Sequence, residues 1–317
     1  ETVYGLGAAA LDEQVVARIF EAKQRPSWDP LIVHLADRAM LRRVVAETTI
    51  LAERLMEEFW PGPLTLLLPR SGNVPDAVTA GRPLVGVRTP AHPVAHALIA
   101  AAGVPIAAPS ANSFGRISPT TAAHVLEDLD GRIDAIVDGG ATLHGVESTV
   151  VDASVLPMVV YRPGAIAIEE LRAVAGDVIV YSPAIESERH EAAGGASREA
   201  LPSPGTDARH YAPRARLWLC ETDGRGTGEV LQRAGRAAAG GERRVFYMLP
   251  AGVTIDAGED MIFRWGTWED LEELAQRLFL GLRELDRRGA TDIICPLPPD
   301  QRIGTAIRDR LQRAARR

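Results

Sequence analysis

Residues 84–112, LVGVRTPAHPVAHALIAAAGVPIAAPSAN, decide the fold class. Leu84 to Arg88 reads as a short strand, Val94 to Ala102 as a helix, and Pro105 to Ala108 as a second strand. A strand–helix–strand unit of this kind argues an α/β sheet. Both strands run straight into polar loops, Arg88-Thr89-Pro90 and Pro109-Ser110-Ala111-Asn112. Strand ends of open α/β sheets are where ligands bind. The same stretch holds the longest apolar run, Pro93 to Pro109, but His96 and Gly103 interrupt it, so no run reaches membrane-spanning length.

Working outward, the alternation continues. Asp12 caps a helix whose Val15, Val16, Ile19 and Phe20 share a face, and which ends near Lys23. Leu31 to Leu35 is a short strand. A helix ending at Phe59 and Trp60 is stopped by Pro61-Gly62-Pro63, and the strand Leu64 to Leu68 follows. Ser118-Pro119 reads as a cap with proline at the first helical position, opening a helix to Leu129. Strands are expected at Ile133–Val137, Ser148–Asp152, Met158–Tyr161 and Val178–Tyr181, with a helix over Ile168–Ala175. Ser182 to Pro213, rich in Ser, Gly, Ala, Glu and Pro, reads as a long linker. Beyond it lies a second α/β pattern: strands at 216–220, 244–249, 261–265 and 292–296, and helices near 228–239, 268–288 and 304–316. The expected division is a catalytic domain over 1–181, a linker or lid over 182–213, and a smaller three-layer α/β domain with a mostly parallel sheet over 214–317.

The 317 residues are 46% hydrophobic and 24% charged, which excludes a wholly disordered chain. A net charge of −7 argues against a nucleic-acid polycation. Cys220 and Cys295 stand far apart without metal-ligand spacing, as suits a reducing cytoplasm. Among 35 basic residues Lys23 is the sole lysine. A GC-rich coding bias explains why lysine is rare. It does not explain why one survives, and an ammonium on a flexible stem is not interchangeable with a planar fork. Lys23 is therefore a candidate functional residue, although as a helix-end cation it would contribute at most about 1 kcal/mol to stability.

There is no P-loop, no GxSxG elbow and no HExxH helix. Gly5 to Ala10 matches GxGxxA, but no helix starts there, so a dinucleotide site is not expected. Lys23, Arg25, Arg88 and Arg162 lie at element ends, with hydroxyls from Ser110, Ser118 and Ser148 on nearby loops. Four cations and three hydroxyls from separate loops suit a polyanion such as a nucleoside triphosphate with magnesium. No general base or nucleophile stands out, and phosphorus chemistry driven by positioning and charge needs neither.

The strings ETVYGLG (1–7), KQRP (23–26), PLIVHL (30–35), WPGPLTLLL (60–68), VRTPAHP (87–93), PIAAPSAN (105–112), SPT (118–120), GVESTVVD (145–152) and YRPG (161–164) occur in order. Their combination resembles the YrdC/Sua family of threonylcarbamoyl-AMP synthases. SPGTDARHYAP (203–213) and the following α/β pattern resemble its longer, two-domain members. The resemblance implies a twisted open-sheet YrdC-like domain with a positively charged concave cavity, joined by a linker that folds over the site to a smaller Rossmann-like three-layer domain. It implies condensation of L-threonine, bicarbonate and ATP, with Mg2+, into threonylcarbamoyl-AMP and pyrophosphate. A tRNA threonylcarbamoyl transferase complex would then carry the group to adenosine 37 of tRNA, in the cytoplasm, with at most weak tRNA contact by this chain. By resemblance, Lys23 and Arg25 are the catalytic cations. With Ser110, Asn112, Ser118, Arg162 and the linker's Tyr211 they bind ATP, while His34, Arg88 and Ser148 hold threonine and its carbamate. The resemblance names no metal ligand.

Three features depart from the family pattern. The chain begins at Glu1, already in a strand entering a glycine loop, where the family has a preceding proline–threonine pair, so an N-terminal strand is expected ahead of it. Asp29 replaces Asn or His, and the linker lacks the usual methionine and second aromatic. Two other readings compete. A carbamoyl-adenylate-forming hydrogenase-maturation enzyme would carry acylphosphatase and zinc-finger regions that this chain lacks. An RNA-binding module conflicts with the acidic charge, and Arg308 to Arg317 reads as a solvated helix face.

Overall fold

The computed structural model describes residues 1–181, 203, 205, 210–222 and 227–316. The expected linker, 182–213, therefore lies outside the described residues except for Ser203, Gly205 and His210–Pro213.

The first part contains, in chain order, β1 (Ala8–Ala9), α1 (Glu13–Lys23), β2 (Ile32–His34), α2 (Arg38–Val44), α3 (Ile50–Phe59), β3 (Leu64–Pro69), α4 (Asp76–Thr79), β4 (Leu84–Arg88), α5 (Pro93–Ala102), β5 (Ile106–Ala107), α6 (Ala122–Leu129), β6 (Thr149–Asp152), β7 (Met158–Arg162), α7 (Ile168–Ala175) and β8 (Val178–Val180). The second contains β9 (Arg216–Cys220), α8 (Thr227–Ala238), β10 (Val245–Pro250), β11 (Ile262–Gly266), α9 (Leu271–Arg287), β12 (Asp292–Pro296) and α10 (Ile303–Ala315).

The first sheet has eight strands in the order β1-β5-β2-β4-β3-β6-β7-β8. It is mixed: β2·β4, β3·β6 and β7·β8 are parallel and the other pairings antiparallel. Alternation along β3 shows how it divides two environments. Leu64, Leu66 and Leu68 join the main core with Leu55 and Met56 of α3 and Val16 and Ile19 of α1. Leu67 points the other way, to a small cluster with Ile32 and Val150. One face is thus closed by helices, and the opposite, concave face is left for polar groups. The second sheet, β11-β10-β12-β9, is parallel throughout. Leu231 and Ala238 of α8 pack on one side of it, and α9 and α10 on the other, giving three layers.

Two features aim side chains at the concave face. A β-bulge shifts the β6·β7 register, so that Val151 faces Val160 while Val150 faces Arg162. Met158 and Val160 belong to the core. Without the extra residue Arg162 would follow their alternation inward; the bulge turns it to the side of Val150. At Gly164, a Cβ would collide with the backbone of Glu147, Ser148 and Thr149. Glycine there lets the YRPG loop lie directly on the GVEST loop.

Two expected elements are corrected. Ile133–Val137 forms no strand, because no neighbouring strand runs beside it among the described residues. Ser118 does not cap α6. Thr121 does, its side chain accepting from the His124 amide, while the Ser118 hydroxyl is donated to Glu147. The short helices α2 and α4 were not expected.

The halves are packed together. Ile117, Val146 and Tyr211 lie in the same core cluster as Leu274, Phe279 and Ile307. Arg283 of α9 donates to the carbonyls of Ile117 and Ser118 and pairs with Glu127 and Asp128. Leu66 has no solvent exposure, and Leu66→Ala should cost about 2–5 kcal/mol, read as a lower denaturant midpoint in chemical unfolding.

Candidate active site

The sequence-selected residues converge only in part. Arg25, His34, Arg88, Ser110, Ser148, Arg162 and Tyr211 line one cavity of about 70 Å³. Gly205, His210 and Tyr211 close it from the linker side. Small-molecule sites usually enclose about 300–1,000 Å³, so the linker residues hold space that a nucleotide would need. Lys23, Asn112 and Ser118 do not line it. A larger cavity of about 900 Å³ is bounded by the same Thr2–Gly5 segment and by Val15, Ile19, Leu98, Ile99, Ile133 and Ile136. His34 and Arg88 border both spaces, while Arg25, Ser148 and Arg162 line only the smaller one.

Each cation is positioned by backbone oxygens at element ends. Arg25, just beyond the left-handed C-cap Gln24 of α1, donates to the carbonyls of Asp29 (3.1 Å) and Pro30 (2.7 Å) and pairs with the Asp29 carboxylate at 2.9 Å. Asp29, which stands where the family has Asn or His, is thus fully buried against its own arginine. Arg88, the last residue of β4, donates to Gly62 O (3.0 Å) and Thr2 Oγ1 (3.1 Å) and pairs with Glu1. Arg162 donates to the Ser148 carbonyl (3.0 and 3.1 Å) and to its hydroxyl (3.1 Å), and that hydroxyl also meets Thr65 Oγ1 at 2.9 Å.

Burial, together with the neighbouring Arg162, pushes Arg88 down to about 9. Burial lowers Arg162 as well, with Arg310 adding to the effect. Burial and a neighbouring guanidinium thus weigh against the charge on each, while Glu1 pairs with Arg88. His210 is held neutral by burial and by Arg25, Lys23, Arg162 and Arg310. Among the described residues, three polar atoms at the cavity have no hydrogen-bond partner: His34 Nδ1, His210 Nδ1 and Tyr211 OH. Buried polar atoms are rarely left so, and an ordered water, an ion or a ligand would satisfy them.

Lys23 is not the helix-end surface cation that its position predicts. It is 1% exposed, and its ammonium donates to the carbonyls of Ser110 and Asn112. Burial lowers its pKa strongly, Arg25 adding to this. Lys23 therefore ties the end of α1 to the loop after β5 and acts on the cavity through Ser110. Asn112 is likewise spent on the loop, donating to Ser113 O (2.8 Å) and Arg116 O (3.0 Å).

Tyr211 adopts φ +62°, a left-handed conformation that costs energy for a bulky residue. Its ring stacks on Phe279 of α9 at 5.7 Å and meets His210 edge-on at 4.1 Å, and His210 in turn meets Phe114 at 5.9 Å. A Cβ on Gly205 would collide with the Tyr211 hydroxyl, so glycine is what allows the linker to pass so close to the ring. Sequence reasoning missed Thr2 and Glu147 as cavity residues, and it misread Arg310 as part of a solvated face. Arg310 is 1% exposed, because α10 lays it against Glu147 at 2.7 Å. The one signal available was the charged Glu147 inside GVEST, before an apolar strand.

A twisted mixed sheet carrying a buried cation cluster, with a parallel α/β unit over it, is what the comparisons match. Residues 1–164 match the Sua5_yciO_yrdC family model, described as "Telomere recombination". Residues 166–316 match one described as "Threonylcarbamoyl-AMP synthase, C-terminal domain". The chain belongs to the threonylcarbamoyl-AMP synthase family in its two-domain form. It is 42% identical over 318 residues to the threonylcarbamoyl-AMP synthase of Pyrococcus abyssi, covering 99% of this chain and 88% of the relative. It is 43% identical over 320 residues to that of Bacillus subtilis, covering 99% and 87%. The crystal structure of P. abyssi Sua5 complexed with L-threonine superposes with a TM-score of 0.87 at 41% identity, over 99% of this chain and 88% of that one.

His34 gives a pH test. Burial pushes its pKa from 6.5 down to about 4, so the unfolded chain takes up the proton first. As pH falls from about 6.5 towards 4 this histidine costs stability, and above 6.5 it costs none. The fall in melting temperature across that window should be smaller in His34→Gln than in the wild type. Equal slopes would mean that His34 is not held neutral.

Proposed function

We propose that the chain condenses L-threonine, bicarbonate and ATP into threonylcarbamoyl-AMP, water and pyrophosphate. The observation that carries this reading is the convergence of buried Arg25, Arg88 and Arg162 on one cavity, beside unpartnered polar atoms of His34, His210 and Tyr211. The neutral threonine amine attacks carbon dioxide derived from bicarbonate and forms a carbamate. A carbamate oxygen then attacks the α-phosphorus and pyrophosphate leaves. Arg25, Ser110, Arg162 and Tyr211 face the nucleotide, and the arginines stabilise charge gathering on phosphorus and pyrophosphate. His34, Arg88 and Ser148 face threonine and its carbamate. Lys23, Asn112 and Ser118 act from behind the wall by fixing the loops. The carbamate is labile in water, and Tyr211 and His210 shield it once substrates are in. The linker is taken as residues 182–213, between domains 1–181 and 214–317, and entry requires its Gly205, His210 and Tyr211 to move away first.

The residues present do not fit a protein-held magnesium ion. Asp29 is paired with Arg25, and both oxygens of Glu147 are engaged by Ser118 and Arg310. Among the described residues no three His, Cys, Asp or Glu side chains group as metal ligands. Magnesium would enter as the counter-ion of the ATP phosphates. The product passes to a tRNA threonylcarbamoyl transferase complex in the cytoplasm, with at most weak tRNA contact by this chain. Among the described residues no helix is long and apolar enough to cross a membrane.

Pyrophosphate release should require ATP, threonine and bicarbonate together, and release indifferent to threonine would overturn the assignment. Lys23→Arg should slow turnover about a hundredfold, because displacing the Ser110 loop by even ~1 Å misaligns the reacting groups. It should also lower stability by about 1–3 kcal/mol, since a guanidinium overfills an enclosed pocket. Turnover and a melting curve on one preparation check both effects.

A further inference from the structure

The cavity proposed for ATP has a carboxylate in its wall. Glu147 lines it beside Ser148 and Arg162 and is only 6% exposed. A bare carboxylate there would repel the phosphates that the arginines attract. Both of its oxygens are occupied. Oε1 accepts from the Ser118 hydroxyl at 2.6 Å, and Oε2 accepts from Arg310 Nε at 2.7 Å.

Arg310 comes from α10, whose Ile307 and Leu311 share a core cluster with Val146 and Tyr211, and does not itself line the cavity. It is 1% exposed. Nη1 pairs with Asp309 at 2.6 Å, the guanidinium carbon sits 5.0 Å from the Tyr211 ring centre, and Nη2 is buried without a hydrogen-bond partner. An arginine so enclosed, with one nitrogen unsatisfied, is not explained by helix packing alone. Asp29, a buried carboxylate that does not line the cavity, is neutralised from four residues away by Arg25. Glu147 takes its cation from the other half of the molecule.

We propose that Arg310 is a positioning residue of the adenylation site: the C-terminal helix lends it to neutralise Glu147, so that the cavity accepts an anion. The proposal rests on the synthase reading above. Removing one partner of a buried pair leaves an uncompensated charge. Here that charge faces ATP, and the loss is a loss of nucleotide affinity before it is a loss of rate. The pair also fixes Ser118 on one side of Glu147 and the Ser148–Arg162 contact on the other.

The test uses the full chain and four variants: Arg310→Met, Arg310→Lys, Glu147→Gln and the double variant Arg310→Met with Glu147→Gln. ATP affinity is measured by calorimetry, which needs no turnover, and threonine-dependent pyrophosphate release gives KM and kcat. Arg310→Met should weaken ATP binding and raise its KM about tenfold or more, with a much smaller change in kcat, as expected of one unscreened charge a few ångströms from phosphate. The double variant, which has no bare carboxylate, should return to within about threefold of Glu147→Gln, and Arg310→Lys should fall between wild type and Arg310→Met. Unchanged ATP affinity in Arg310→Met, or losses that add in the double variant, would overturn the proposal. If Arg310→Met does not fold, the double variant decides: recovery of folding and ATP binding supports neutralisation, and continued failure assigns Arg310 to packing alone. A wild type that binds ATP but releases no pyrophosphate with threonine would refute the synthase reading while leaving the affinity comparison intact.

Discussion

Guanidinium groups held out of water around one small cavity set the terms for the rest of the structure. An isolated buried charge costs several kcal/mol even after relaxation. Arg25, Arg88 and Arg162 therefore stand where backbone carbonyls are in surplus, at the end of a helix and at the ends of two strands. Those carbonyls belong to the loops Asp29–Pro30, Gly62 and Ser148, which carry no ladder of their own. The open sheet thus supplies both the concave surface and the acceptors that make a positive concavity tolerable. Glu1 answers Arg88, and the Ser148 oxygens receive Arg162, yet Arg162 still lowers the pKa of Arg88, so positive charge stays concentrated at the cavity.

The same constraint explains why the second sheet is packed onto the first rather than strung beside it. Apolar packing alone would need only Ile117 and Val146 against α9. The contact instead carries Arg283 onto the Ile117 and Ser118 carbonyls, Phe279 onto the Tyr211 ring and Arg310 onto Glu147. All three end on the loop before α6, the linker or GVEST, the segments that face the cavity. A linker residue in a strained conformation needs support from both sides to persist. Tyr211 has Arg310 over one part of its environment and Phe279 stacked on another, with His210 and Phe114 continuing the aromatic contacts toward Arg25.

What was legible in the sequence follows from which signals are local. The apolar runs at 64–68, 84–88, 149–152 and 216–220 became strands close to where periodicity and proline punctuation put them. Asp12 capped α1 as its position predicts. Ile133–Val137 did not become a strand, because a ladder depends on a neighbour that no local pattern specifies. Ser118 is a good cap in isolation, yet the buried Glu147 was a stronger claim on its hydroxyl. The cavity cations were found because they lie at strand and helix ends. Glu147 and Arg310 were not, since their pairing spans 163 positions and appears only when α10 folds back.

Lys23 shows how a compositional anomaly can mark a position whose surroundings no local pattern reveals. Scarcity of lysine in an arginine-rich chain marked the position, and the residue does sit where an arginine cannot simply replace it. In the structure its ammonium meets two carbonyls, Ser110 and Asn112, two residues apart on one loop. An ammonium is a compact point donor that can serve both from a single atom, whereas a guanidinium presents its hydrogens in a rigid plane spread over three nitrogens. The Phe114 amide bonds back to the Lys23 carbonyl, so the loop is clamped through side chain and main chain at once. Rigidity of that loop fixes where Ser110 meets the cavity, and it explains why the only lysine lies one layer behind the wall while the wall itself is built of arginine.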